Sequence, residues 1–242
     1  GQATEVVTPD GDSRFVAPAL AGAPSGRYHF RSWNPVDLPG KPGFGGSAAA
    51  CVAACIAAGR PPSDALAIHH RVQGSGSGID VLASIHGGMG TVSAGRWTAA
   101  PPRCPVVIYS GQSAKTGPRV QAYLGWTDRA AFLADSDAIS RAFLTDPHGA
   151  LAASGALLVA MSRAAGIDYL TPGLAQVQAL AKSHGGVAKP SGAGGGDCAV
   201  AYFDDADDEH AFIDACAAAG LPHIPVAAAP GAHWAGQAPL RR

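Results

Sequence analysis

A glycine-rich turn that runs straight into an alanine-rich helix constrains this chain more than any other stretch. Lys41-Pro-Gly-Phe-Gly-Gly-Ser-Ala-Ala-Ala50 continues into Cys51-Val-Ala-Ala-Cys-Ile-Ala-Ala-Gly59. Gly43, Gly45 and Gly46 admit backbone conformations that side chains forbid. From Ala48 to Ala58 every residue is small or apolar, with no proline and no charge. A buried helix of about three turns is expected there, with Ser47 as its cap. A helix opened by a glycine loop aims several unpaired N–H groups at one place, where an anion can sit. A tight turn before a packed helix explains the same residues, and the stretch alone does not separate the two readings.

The rest of the chain narrows the function classes. With 242 residues it forms one large domain or two smaller ones. A net charge of -1 gives no footing for a nucleic-acid groove, and no apolar run is long enough to span a bilayer. No secretory signal pattern is legible at the start, so a cytoplasmic globular protein is expected, as monomer or homodimer. The cysteines at 51, 55, 104, 198 and 216 are odd in number and stand among apolar residues. They read as core thiols, not as a disulfide framework or a metal site. Thirty-two glycines and 19 prolines predict many turns and short strands.

Taken in order, Thr4–Thr8 reads as a strand, Pro9–Asp12 as a turn and Arg14–Ala17 as the returning hairpin strand. Tyr28–Ser32 is another short strand, and Asn34–Gly40 a loop. A helix starts at Ser63 or Asp64 and runs to about Val72, with His69 and His70 near its end. Adjacent histidines point different ways, so they form no chelating pair. Either one faces a site, or both are surface residues near the favourable end of the helix dipole. A second glycine-serine cluster, Gln73–Asp80, leads into a short helix ending at Gly87-Gly88. Asp80 is a first-turn carboxylate favourable for the dipole, or a charge organiser beside an anion site. Residues 89–103 read as turns.

Cys104–Tyr109 is a clear strand, followed by a polar turn over Ser110–Gly117. Helices are expected over Pro118–Phe132, Ala134–Phe143 and Ala150–Ala165, the last closed by Gly166. Another follows from Thr171 and Pro172 to about Ser183, with Leu174, Val177, Leu180 and Ala181 on one buried stripe. Gly185–Cys198 is a glycine-rich loop leading into the strand Ala199–Phe203. Asp204–Glu209 is a solvated helix start without calcium-loop spacing, and the helix runs to Ala218. His223–Ala227 is a last, edge strand, and Trp234 is a possible anchor for the tail. The second half is therefore a small α+β domain with helices on one face of a sheet.

Three of these stretches resemble, in order and spacing, the motifs of the GHMP superfamily of small-molecule kinases, which act on galactose, homoserine, mevalonate and phosphomevalonate. Gly43-Phe-Gly-Gly-Ser-Ala-Ala49 is similar to the family's phosphate loop. Gly76-Ser-Gly-Ile-Asp80 with Gly87-Gly88 is similar to its catalytic-aspartate segment. Lys189-Pro-Ser-Gly-Ala-Gly-Gly-Gly-Asp-Cys198 is similar to its C-terminal glycine motif, in a form most like the phosphomevalonate branch. The segment Tyr109–Thr116 resembles the strand and turn near that branch's acceptor site.

The resemblance implies a two-domain α+β fold. An ATP-binding, catalytic part over 1–100 would be ribosomal-protein-S5-domain-2-like, and a C-terminal domain over 101–242 ferredoxin-like. It implies ATP and Mg²⁺ as cofactors and phosphoryl transfer from ATP to phosphomevalonate. Mevalonate or another small alcohol is an alternative acceptor, and a non-catalytic relative a third reading. Gly43, Gly45, Gly46, Ser47 and Ala48 would hold the ATP phosphates, with Ser47 also touching Mg²⁺. Asp80 would be catalytic. Ser77, Gly78, Lys189, Ser191, Gly192, Ala193, Gly194 and Gly195 would bind substrate. Lys189 is otherwise a solvent-exposed loop lysine, and Arg27, Arg31, His69, His70, Arg71, Lys115 and Arg119 are further groups available to an anionic acceptor. Two departures stand out. Only 42 residues precede the first glycine loop, so the strands and lysine motif that relatives carry near the N-terminus are expected to be incomplete. His69-His70 stand where some relatives carry a metal-binding glutamate.

Overall fold

The computed structural model describes residues 4–31, 37, 38, 40–74, 76–112 and 116–235. Most of the loop expected at 34–40, the polar turn around Lys115 and the end of the tail lie outside these residues. The chain divides into two compact units: the described residues of Gly1–Trp33, Phe44–Arg103 and Ala227–Arg242, and those of Asn34–Gly43 and Cys104–Val226.

The first unit begins with strand β1 (Glu5–Val7), which pairs in parallel with β2 (Arg27–His29). The hairpin expected at Arg14–Ala17 does not form. Residues 14–22 are instead a run of turns tied by Ala17 N–H to Ser13 O and Leu20 N–H to Val16 O. Val16, Ala19 and Leu20 are buried from it. That spacing of three and four is helical, and a parallel partner needs such a crossover.

Helix α1 (Gly46–Ala57) buries Ala48, Cys51, Val52, Ala54 and Cys55. With α2 (Asp64–Gln73) and α3 (Ile79–His86) it forms a core with Ala65, Ile68 and Val81. Small residues along α1 bring these helices close, so packing rather than propensity holds them. Residues 89–103, expected as turns, form an antiparallel hairpin of β3 (Met89–Ser93) and β4 (Arg96–Ala100). Its two-residue turn is Ala94-Gly95, both at positive φ (50° and 73°). That conformation matches the strand twist, and alanine at the first position hid the signal. The segment after Ala227 is held by Gly88 N–H to Ala229 O (2.7 Å) and Ala232 N–H to Ser84 O (2.9 Å). These backbone bonds secure the segment independently of the half-exposed Trp234.

In the second unit β5 (Val106–Tyr109), β6 (Val187–Pro190), β7 (Cys198–Tyr202) and β8 (His223–Ile224) make one antiparallel sheet in the order β6-β7-β5-β8. β8 lies at an edge, as Pro225 requires. β6 lies inside the stretch expected as an unbroken loop. It forms because Ala188 and Pro190 bury one side against the helices while the glycines after it make the turn.

Between Thr116 and Ala142 the chain forms α4 (Thr116–Gly125) and α5 (Arg129–Ala142), broken at Gly125. The break is therefore several residues earlier than the expected boundary near Phe132. Tyr123, Trp126 and Phe132 pack edge to face across it. α6 (Pro147–Ala164) is capped by Asp146, whose side chain accepts from Gly149 N–H at 2.9 Å. α7 (Pro172–Ser183) is capped by Thr171. α8 (Ala206–Ala218) is capped by Asp205, which accepts from Asp207 and Asp208 N–H.

Leu174, Val177 and Ala181 of α7, Phe212 and Cys216 of α8 and Ile108 of β5 form the core. Each large side chain among them contributes about 1.5–3 kcal/mol on burial. Among the described residues, no helix is long and apolar enough to cross a membrane.

Candidate functional site

The first helix is opened by backbone, not by a side chain. Gly45 is its N-cap in the left-handed conformation (φ 67°), with no side-chain cap, and the first turn holds no acidic residue. The cap expected of Ser47 therefore does not form: Ser47 lies one residue inside the helix. The first-turn amides of such a helix lack intrahelical acceptors. Here Gly46 and Ser47 are exposed, while Ala48 is buried, donates its N–H to Gly45 O at 3.0 Å and packs the helix. An anion fits this end, since nothing in the helix's own first turn competes for it.

Asp80 comes to the same place. It is the second residue of α3, exposed, behind the left-handed N-cap Gly78 (φ 71°). Its carboxylate lies so close to Gly45 that a β-carbon there would stand 3.1 Å from Asp80 Cγ. Gly45 is favoured by its positive φ, and a β-carbon there would crowd the exposed Asp80 side chain into shifting. Ser77 Oγ accepts weakly from Ile79 N–H at 3.4 Å, so Ser77 serves the start of α3.

The two histidines separate. His70 is exposed, whereas His69 is buried, stacked on Phe15 at 4.7 Å between ring centroids, with Nε2 3.1 Å from Ser47 Oγ. Burial lowers the His69 pKa and the Asp80 charge partly opposes it. Alternation along a helix identifies one inward histidine; nothing in the sequence marks Phe15 as its partner.

In the second unit, Ser191 and Gly192 are exposed, Ala193 is half-buried and Gly194–Gly196 are buried. Gly192, Gly194 and Gly195 have φ of 69°, 70° and 73°. Ser191 N–H donates to Cys198 O (2.8 Å) and Gly195 N–H to Tyr169 O (2.7 Å). The Tyr169 ring closes over Gly194 and the Arg119 guanidinium over Gly195, where any β-carbon would collide with it. Arg119 also donates to Asp168 O at 3.1 Å and Gly195 O at 3.4 Å, and Gln112 Nε2 to Gly195 O at 3.4 Å. Arg119 braces this loop. Tyr169 Oη is buried without a hydrogen-bond partner among the described residues, and burial raises its pKa.

Lys189 does not extend into solvent as a loop lysine would. It is half-buried in β6, its Nζ donates to Pro190 O at 2.9 Å, and burial lowers its pKa. Asp197 closes the C-terminal glycine motif and carries no role expected from the sequence. Its φ is 55°, and its carboxylate lies 2.7 Å from where a Gly43 β-carbon would be. Cys198 Sγ donates to Pro42 O at 3.3 Å, so the approach to the first glycine is held in this unit.

Cys51, Cys55, Cys198 and Cys216 are buried, and burial pushes Cys51 and Cys198 up to about 12. Cys104 is exposed, which corrects its reading as a core thiol. Among the described residues no three His, Cys, Asp or Glu side chains could hold a metal by themselves. Ser47 and Asp80 suit a cation that arrives with phosphate oxygens, as Mg²⁺ usually does. Two grooves of about 640 and 500 Å³ lie elsewhere, one along Gly155, Arg163 and Lys182, the other between His86, Trp97 and Pro230.

His69 and His223 are both held below the ordinary histidine range by burial. Below about pH 6.5 the unfolded chain then binds more protons than the folded one, so stability falls as pH drops through the folded pKa values. The urea midpoint is expected to be lower at pH 5.5 than at 7.5, with a smaller drop in His223→Gln. An equal drop in that variant would show that the His223 ring titrates freely.

The family described as "GHMP kinases C terminal" matches residues 142–221. No protein of curated function matches the sequence. Among solved structures, the Lin0012 protein from Listeria innocua is 18% identical, with a TM-score of 0.80 over 95% of this chain and 86% of that one. Streptococcus pneumoniae phosphomevalonate kinase, in complex with phosphomevalonate and AMPPNP, is 17% identical, with a TM-score of 0.73 over 95% and 88%. Methanococcus jannaschii mevalonate kinase is 15% identical, with a TM-score of 0.71 over 90% and 82%. The chain has an α+β fold that resembles the folds of these structures.

Proposed function

We propose that the protein is an ATP-dependent small-molecule kinase that transfers the γ-phosphoryl group to phosphomevalonate. The observation that carries this reading is the Asp80 carboxylate lying against Gly45, the capless N-terminus of α1. A bare helix end attracts anions, the Asp80 carboxylate and a phosphate alike, and the two share it only with a reacting group or a cation between them. The fold likeness to kinases, one of them with phosphomevalonate and a nucleotide bound, supports the same reading.

In this reading Gly43, Gly45, Gly46 and Ser47 bind the ATP phosphates through backbone N–H groups and the Ser47 hydroxyl, while Ala48, buried and with its N–H donated to Gly45 O at 3.0 Å, packs the helix behind them. Mg²⁺ bound with ATP offsets phosphate charge, and Ser47 and Asp80 are the residues that would hold it. Ser77, Gly78, Lys189 and Ser191–Gly195 bind the acceptor. The bond from the γ-phosphorus to the β,γ-bridging oxygen breaks, a bond to the acceptor oxygen forms, and ADP leaves. A phosphate acceptor is already ionised, so Asp80 then aligns and organises charge instead of removing a proton. With an alcohol, Asp80 takes the hydroxyl proton. We further read the part over 1–100 as the ATP-binding, ribosomal-protein-S5-domain-2-like domain. The part over 101–242 is the ferredoxin-like one, which the strand order β6-β7-β5-β8 supports.

ATP consumption with phosphomevalonate, mevalonate and homoserine offered singly, with the product mass, tests this. Diphosphomevalonate formation is expected. Turnover with mevalonate alone would move the chain to an alcohol kinase, and failure to bind ATP by calorimetry would make it a non-catalytic relative.

A further inference from the structure

We infer that His69 is a positioning residue that orients the Ser47 hydroxyl toward a bound phosphate. The inference rests on the nucleotide-binding reading of α1. Ser47 is exposed at the second position of α1. An unrestrained serine hydroxyl there would rotate among its staggered wells and spend much of its time solvated. His69 Nε2 stands 3.1 Å from Ser47 Oγ and removes that freedom. The imidazole is itself fixed: it is buried, and Phe15 stacks on it at 4.7 Å with 24° between the planes.

The chemistry selects one tautomer. Phosphate oxygens only accept, so Ser47 must keep its hydrogen for them. Its oxygen must then accept from the ring, which places the imidazole hydrogen on Nε2. The opposite tautomer would draw the hydroxyl hydrogen toward His69 and present only lone pairs outward, which serves a cation but leaves nothing to donate to a phosphate oxygen. Phe15 thus supports a ring, the ring a hydroxyl, and the hydroxyl an anion. Each link lies within the first unit.

A double-mutant cycle on the full chain separates this role from a structural one. ATP affinity is measured by calorimetry, with Mg²⁺ and with chelator, for wild type, His69→Phe, Ser47→Ala and the double variant. His69→Phe keeps an aromatic ring on Phe15 but has no nitrogen. It is expected to weaken ATP binding about tenfold, the usual scale for one hydrogen bond to a charged group. Ser47→Ala should do the same, and the double variant should be no weaker than Ser47→Ala. His69→Gln, whose amide can reach the Nε2 position, should recover most of the loss. It also serves as the readout if the phenylalanine variant folds poorly. Nitrogen NMR should find the hydrogen of His69 on Nε2.

Wild-type affinity in His69→Phe, additive losses in the double variant, or hydrogen on Nδ1 would each overturn the role of His69 and leave nucleotide binding standing. A wild-type protein that binds no ATP would overturn both.

Discussion

Asp80→Asn is expected to lower turnover about a thousandfold or more while leaving the fold nearly intact. The reasons are geometric and local. Asp80 is exposed, so the substitution buries no new group and opens no cavity. The amide has the carboxylate's shape, so the close approach to Gly45 is kept. Loss of a first-turn charge on α3 costs the helix about 0.3–1 kcal/mol. What disappears is the negative charge beside the helix end proposed to bind phosphate. With an alcohol acceptor the loss should be deepest, because no group then takes the proton. With a phosphate acceptor some turnover should remain, since alignment survives in part. Steady-state kinetics and ATP calorimetry on one preparation distinguish these cases. Wild-type turnover in Asp80→Asn would remove this residue from the chemistry.

Gly194→Ala is expected to be the most damaging single methyl group in the C-terminal loop. Gly194 has φ 70°, and an added β-carbon would strike the Tyr169 ring and approach Tyr169 O to 2.7 Å. A left-handed alanine costs roughly 1 kcal/mol and overpacking against a fixed ring about 1–3 more. The sum, about 3 kcal/mol, is a large share of the 5–15 kcal/mol typical of a domain. It corresponds to about a 10 °C fall in melting temperature. Gly192 is the control: its φ is 69°, but nothing lies within 4 Å of an added β-carbon. Gly192→Ala should cost only the backbone share. Gly195→Ala should fall between them, because the Arg119 guanidinium can swing away at the cost of its bonds to the loop. Thermal melts rank the three, and acceptor KM should rise in the same order. Equal melting temperatures for Gly192→Ala and Gly194→Ala would mean that Tyr169 does not close over the loop.

Signals that act over a few residues were legible. Thr171 and Pro172 start α7, Gly166 (φ 66°) follows α6, and Leu174, Val177 and Ala181 make the buried stripe the spacing predicts. The small, uncharged run after Ser47 is α1. Where two local signals competed, tertiary contacts chose between them. Residues 14–22 could return as a strand or cross as helical turns, and the parallel partner Arg27–His29 required the crossover. Lys189 carries a charge that favours solvent, yet it sits half-buried in β6 because Ala188 and Pro190 on either side of it face the core.

The order and spacing of the glycine turns, Asp80 and the capped helices follow from the amino-acid sequence, because conformational preference and capping are decided within one or two turns of chain. That Ser47 meets His69 instead of capping α1, that Phe15 seats that ring, and that Arg119 braces Gly195 were decided only by the tertiary structure. Each of these contacts joins residues more than 20 positions apart. A side chain's partner at that range is set by how whole elements pack, which no local pattern encodes.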